Sequence, residues 1–255
     1  MMTIVTAIQI YTYSREREEK QMSKKFELTT ESIMYFGRTL FRIKALVGFG
    51  NVETGELGGY IEKEENLDQS GNAWVSGNAC VFGNACVFGN AWVSGNAWVS
   101  GDACVFGDAC VFDDACVSGN ARVSGDACVF GDACVFGDAR VSGNARVSGD
   151  ARVSGDARVS GNACVYGNAC VYGDARVSKS THLFQVGCIG SRHGFTTFYR
   201  TKNKRIHVAC GCFSGDIDEF EKKVIKNHAG TKHEKTYRAA IELAKAQIED
   251  VEGGE

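Results

Sequence analysis

Along the middle of the chain, apolar and polar positions recur with a period of six. From Gly71 to Ser178 the unit Gly-(Asn/Asp)-Ala-(Cys/Arg/Trp)-Val-(Ser/Phe/Tyr) repeats eighteen times without a gap, and its leading Gly is broken once, at Asp113. Ala and Val stand two residues apart, so an extended segment turns both to one side and the residue between them to the other. The Gly-Asn or Gly-Asp pair tolerates the backbone angles of a corner. Each unit therefore predicts a short strand and a corner. Three corners close a triangle, giving coils of 18 residues and about six coils in all. Inside, Val75, Val81 and their successors to Val177 stack with Ala79, Ala85 and theirs. At roughly 4.8 Å between stacked strands, the rod is about 29 Å long. Ordering a residue costs roughly 1–2 kcal/mol, and burying a Val returns roughly 1.5–3 kcal/mol. A lone coil therefore does not stand, and the two ends of a stack need cover.

The flanks have other periods. Phe26–Thr29 and Thr39–Ile43 alternate like strands, and the segment 49–61 reads as an imperfect first coil. Phe26, Phe36, Leu40, Phe41 and Leu46 are the expected plug of the open end, which makes residues 22–69 an N-terminal β cap. Beyond Ser178, residues 182–186, 196–200 and 205–209 predict three strands, the last two joined by the turn at 201–204. Asp216 with Glu219 has the form of a capping box, ahead of an apolar stripe at Ile217, Phe220, Val224 and Ile225 that ends near Gly230. A second helix carries Tyr237, Ala240, Ile241, Ala244 and Ile248. The expected class is mainly β. It comprises a left-handed parallel β-helix over residues 70–178, the N-terminal cap, and a C-terminal α+β (βββαα) module over residues 179–255. Residues 1–21 are expected to be upstream sequence read in frame or a disordered segment. The run Arg15–Lys20, whose codons are purine-rich, precedes Met22 as a ribosome-binding site would, so Met22 is the expected natural start.

The aliphatic residue at every sixth position, with a small residue four further on, resembles the left-handed β-helix of hexapeptide-repeat proteins. The resemblance covers residues 71–178 and speaks for fold rather than activity, since one fold hosts many functions. The segment before the repeat resembles the leader of such repeats in phage and prophage proteins, and the C-terminal module resembles a tail in phage-associated repeat proteins. This resemblance implies a phage or prophage origin and the cytoplasm of a bacterial host. Hexapeptide acyltransferases and γ-class carbonic anhydrases share the ladder, but both draw His from their coils or from inserted loops. Here the coils contain no His, Lys or Glu and no insertion. The expectation is a non-catalytic scaffold or binding protein without a cofactor or metal. A hexapeptide-type acyltransferase and a nucleotide- or anion-sequestering protein stand as alternatives.

Outward residues form columns 18 positions apart. One column reads Cys86, Cys104, Arg122, Arg140, Arg158, Arg176, and its arginines are a candidate site for a small anionic ligand or nucleotide. Corner aspartates Asp126, Asp138, Asp150, Asp156 and Asp174 would partly balance them. The aromatic half, with Trp74, Trp92, Trp98, Phe88 and Phe106, is a candidate interface for a protein partner or a homotrimer, unless the caps fold over it. Arg, Cys and Trp interchange by single-base changes, as do Ser, Phe and Tyr. That pattern points to recent duplication with drift at the outer positions.

Composition narrows the rest. The net charge of −3 argues against a dedicated nucleic-acid binder, and no apolar run approaches a membrane span. Nine of the twelve Cys occupy the outer repeat position, interchangeable with Arg and Trp, which is no pairing framework. Free thiols in a reducing cytoplasm follow. All five His lie in the C-terminal module with Cys188, Cys210 and Cys212. A zinc site there has poor spacing, because one residue separates Cys210 from Cys212 and a strand would put both on one face. Cys212 with His207 is a weaker nucleophile pair still. Arg192, His193, Arg200 and Arg205, with interleaved aromatics, form a candidate contact for phosphate or a nucleotide.

Overall fold

The structure, a computed structural model, describes residues 24–248. The expected upstream segment 1–21 and the expected start at Met22 lie outside the described residues. Eighteen two-residue strands, β4 (Trp74–Val75) to β21 (Arg176–Val177), form the rod. Each pairs in parallel with the strand three units on, as in Trp74↔Trp92, Cys86↔Cys104 and Arg140↔Arg158. Three stacked sheets result, one per side of the triangle. Every Ala and Val of the repeat is buried. At the corners the chain enters left-handed backbone, as at Gly125 with φ +67°, where a Cβ would meet the Gly143 backbone nitrogen at 3.0 Å. Asp113 takes the same conformation at φ 60°. Its carboxylate accepts the Gly131 N–H at 3.3 Å.

The N–H of each outward residue donates to a carbonyl of the following coil, as Cys110 N to Ala127 O at 2.9 Å and Arg122 N to Ala139 O at 2.9 Å. The parallel pairing of Cys110–Val111 with Cys128–Val129 turns the Val N–H groups the other way, toward the preceding coil. The first and last coils therefore each present both donors and acceptors, which must find partners elsewhere.

The N-terminal cap covers the first coil. Strands β1 (Phe26–Tyr35) and β2 (Arg38–Ala45) form a hairpin that continues through β3 (Leu57–Ile61) onto Cys80–Val81. Tyr60 N donates to Ala79 O, Glu62 N to Val81 O and Asp68 N to Val87 O, at 2.9, 3.1 and 2.9 Å. Side chains complete the set: Lys25 Nζ donates to Ala73 O at 2.8 Å and Asn66 Nδ2 to Ala85 O at 2.8 Å. Burial pulls the Lys25 ammonium down to about 8, against the pull of Asp68. With Leu67 bridged to Val87, β3 makes a partial coil ahead of the six expected. Phe26 joins the valine core as the plug requires, but Leu40 packs outside it with Tyr60, Cys80 and Phe82, Phe41 and Leu46 are half-buried, and Phe36 is 70% exposed. It occupies the hairpin turn, so its ring cannot reach the rod's end and stacks instead on Trp98 at 5.1 Å.

The C-terminal module covers the last coil with both acceptors and donors. Strands β22 (Leu183–Ile189), β23 (Gly194–Arg200), β24 (Ile206–Cys210) and β25 (Phe213–Asp216) form an antiparallel sheet, followed by α1 (Ile217–His228) and α2 (Lys232–Ile248). One face of the sheet closes the rod, with Leu183, Tyr199 and Ala209 joining the valine core. The other face packs Phe198 and Val208 against Phe220, Val224 and Ile241 of the helices. On the rod side Thr197 Oγ1 accepts from Cys170 N at 3.2 Å, and Tyr199 Oη accepts from Tyr172 N at 3.3 Å. Gln185, oriented so that both amide atoms are satisfied, accepts from Ala169 N at 3.2 Å and donates to Tyr166 O at 3.0 Å.

Two expectations about this module are corrected. It has four strands, because Phe213–Asp216 pairs with β24. Cys210 and Cys212 do not share a strand face, since Gly211, at φ 56°, and Cys212 form the tight turn between the two strands. Of the expected capping box the Asp216 half forms: its carboxylate accepts the Glu219 N–H at 2.8 Å.

Candidate functional site: the side-chain ladders of the rod

The arginine column lies on the sheet that runs from Cys86–Val87 to Arg176–Val177. Because a corner Asp stands two residues before Arg140, Arg158 and Arg176, the same stacking builds an aspartate ladder beside them. Asp138, Arg140, Asp156, Arg158, Asp174 and Arg176 line a groove of about 500 Å³, closed at one end by Lys202 and Asn203. The hairpin turn reaches it through Lys202 N, which donates to Asp174 O at 3.0 Å. Arg122 follows Asn120 rather than Asp and lies beyond the groove. Arg122, Arg140 and Arg158 are exposed. Arg176 is half-buried, with Nη1 donating to Asp156 O at 2.8 Å and Ala175 O at 2.7 Å. The carboxylates offset the guanidinium charge, so the face suits a surface of mixed charge better than a polyanion.

The aromatic half divides over three sides rather than forming one patch. Phe88 stacks on Phe106 at 4.9 Å on one side, and Phe112 stacks on Phe130 at 5.0 Å on another. On the third side Tyr35 and Phe36 of the hairpin cover Trp98 and Phe82. Trp74, expected at an interface, is fully buried. The cap folds over it, with Phe49 edge-on at 5.4 Å and the backbone of Gly58 against its ring. Trp92 is half-buried and Phe88 is 37% exposed, so these and Phe106 remain on the surface.

The thiols follow the same register. Cys86 and Cys104 meet at 3.2 Å between sulfurs, and Cys110↔Cys128 and Cys116↔Cys134 are paired positions. Burial pushes Cys80 and Cys116 up to about 11 and Cys86 to about 12. These thiols stay protonated at neutral pH and are poor nucleophiles there. Between pH 9 and 11 the unfolded chain releases these protons while the folded chain keeps them, so stability falls as pH rises. Lys25 acts oppositely from pH 8 upward but is one group against three. The melting temperature is expected to drop across pH 9 to 11, and to drop less in the Cys80→Ala, Cys116→Ala double variant. Thermal unfolding across this range reads both.

The C-terminal candidates do not converge. Arg192 and His193 sit in the turn between β22 and β23. Arg200 and Arg205 flank the hairpin turn at the other end of β23, beside the rod. The seven residues of β23 separate them, so no single phosphate spans the four. Arg200 Nη1 lies 3.0 Å from His182 Nε2, and Ser178 N and Oγ lie 3.3 and 3.2 Å from His182 Nδ1. His207 Nε2 lies 2.9 Å from Ser214 Oγ, and burial holds this imidazole below its usual value. Sequence reading missed that pair because the strand carrying Ser214 was not foreseen. It missed Lys202 and Asn203 at the groove because nothing in the period places a hairpin turn against a ladder. The alternation of Phe213 and Gly215 about Ser214 is the signal that could have found the strand.

Among protein-family models, the YdcK beta solenoid repeat matches twice, over residues 139–155 and 151–167. The chain is a β-solenoid repeat protein. The matched stretch contains Arg140 and Arg158 of the groove and four intact corners, Asp138 lying just before it. No curated protein matches the chain. No helix among the described residues is long and apolar enough to cross a membrane.

Proposed function

We propose that the protein is a non-catalytic scaffold whose rod holds the N-terminal hairpin and the C-terminal module at a fixed separation and binds a protein surface along its mixed-charge ladder. The observation that carries this reading is the pair of caps. Each bonds the end coil it covers and adds side chains to the valine core, which sets the rod's length and seals its interior. A homo-oligomer built on the exposed columns, a phage or prophage origin and a cytoplasmic setting belong to the same reading. The last two rest on the resemblance of the flanking segments. Ladder contacts of this kind weaken with salt.

One contact favours a second reading. The His207–Ser214 bond is the start of a nucleophile–base pair, as an acyl-transfer enzyme would need. Among the described residues no carboxylate bonds the other nitrogen of His207, so the imidazole lacks its orienting group. Turnover separates the readings. With p-nitrophenyl acetate and with acetyl-CoA, the scaffold expects rates equal to those of the Ser214→Ala variant. Saturable turnover that this variant abolishes overturns the scaffold.

A further inference from the structure

A second cavity lies away from the rod, on the helix side of the C-terminal sheet, where the turns at 190–193 and 211–212 approach α1 and α2. Its volume is about 330 Å³. Pockets for small ligands begin at about this size and are mostly apolar with a few converging polar groups. Here the floor is Phe213, Phe220 and Val224, and Phe195 forms a wall while remaining 41% exposed. A ring of this size on the surface, unburied by the module's own core, is an apolar face without a partner.

The polar groups at the mouth share one sign. Arg192 and Lys223 line the cavity, and no carboxylate lines it with them. Lys223 Nζ sits 5.2 Å from the centre of the Phe213 ring. Tyr237 is buried, yet the hydrogen-bond partner of its hydroxyl is the soft Cys210 sulfur at 3.8 Å. The phenol occupies the space where Gly190 lacks a Cβ, which fixes it at the cavity wall. His228 stands beside it, ring centres 5.7 Å apart. A buried hydroxyl with so weak a partner retains hydrogen-bonding capacity for a ligand.

We propose that this cavity binds a planar aromatic acid, a one- or two-ring molecule bearing a carboxylate or phosphate. Its ring is held among Phe195, Phe213 and Tyr237, and its anion by Arg192 and Lys223. Edge-to-face and stacked ring contacts are open on several sides, and a guanidinium matches either anion through paired N–H groups. The cavity is too small for a dinucleotide. This goes beyond the scaffold reading and does not depend on it, since the site lies wholly within the C-terminal module.

The test uses the full-length chain and titration calorimetry with indole-3-carboxylate, phenyl phosphate, neutral indole and inorganic phosphate. At least one aromatic acid is expected to bind, with indole and inorganic phosphate weaker by about tenfold or more, the value of a charged hydrogen bond. Preference between the two acids identifies the anion. Arg192→Ala is expected to weaken binding about tenfold. A second readout needs no variant. Cys212 lines the cavity and Cys188 does not, though both are exposed, so the bound acid should slow iodoacetamide labelling of Cys212 and leave Cys188 unchanged. Absence of binding by both acids overturns the proposal. So does equal affinity for neutral indole, or binding that leaves Cys212 labelling and the Arg192→Ala affinity unchanged.

Discussion

A fragment reduced to residues 71–178 assembles head to tail into filaments, whereas loss of residues 179–255 alone does not propagate. The strands stack in parallel, so an uncapped rod exposes at its two ends the opposite, complementary edges of the same three sheets. Those edges share one triangular cross-section. Joining them continues the valine ladder and is a heterologous contact that never closes. Removing the C-terminal module alone frees the N–H groups of Ala169, Cys170 and Tyr172, but the opposite end of the rod is still covered by Lys25, Asn66 and β3. Two like ends that meet form at most a closed pair, so growth stops. Electron microscopy and light scattering on the two fragments read the difference. Filaments from the singly capped chain would show that end chemistry does not control assembly.

Val129→Asp is expected to unfold the rod, and Cys128→Arg, one residue earlier, to leave it unchanged. Val129 is fully buried between Val111 and Val147 in its ladder. An unpaired carboxylate there has no water and no partner, and such a cost exceeds the several kcal/mol that hold most domains folded. Val129→Ala isolates the packing share, at roughly 1.5–3 kcal/mol. Cys128 points outward between Cys110 and Arg146, and its half-exposed position already alternates between Cys and Arg along the column. A surface exchange of this kind falls within about 0.5 kcal/mol. Urea unfolding of the three variants measures the contrast. Equal losses for Val129→Asp and Cys128→Arg would mean that inside and outside are misassigned.

The rod was legible because its period is strict. Alternation within each unit fixed which residues face inward, and the 18-residue coil fixed the columns, down to Arg140 above Arg158. The caps were legible as elements but not as chemistry. Phe36 and Trp74 both look like ordinary apolar residues in sequence. One lies in a turn that holds it out in solvent and the other under a cap, and only tertiary contact decides that. The strand at Phe213–Asp216 escaped notice because four residues containing Ser and Gly carry little strand preference of their own. The groove escaped in part for a related reason. The arginines and aspartates belong to the period, but Lys202 arrives from a hairpin 26 residues beyond Arg176 in the chain.

Amide hydrogen exchange across the whole rod tests the central claim most directly. One sealed and continuous prism requires that the N–H groups of its ladders, such as Cys110, Arg122 and Arg140, exchange only when the molecule unfolds as a whole. Uniform slow exchange across residues 74–172, unaltered by acetyl-CoA, is the predicted result. A fast-exchanging break inside that span, or a segment that an acyl donor selectively protects, would contradict it.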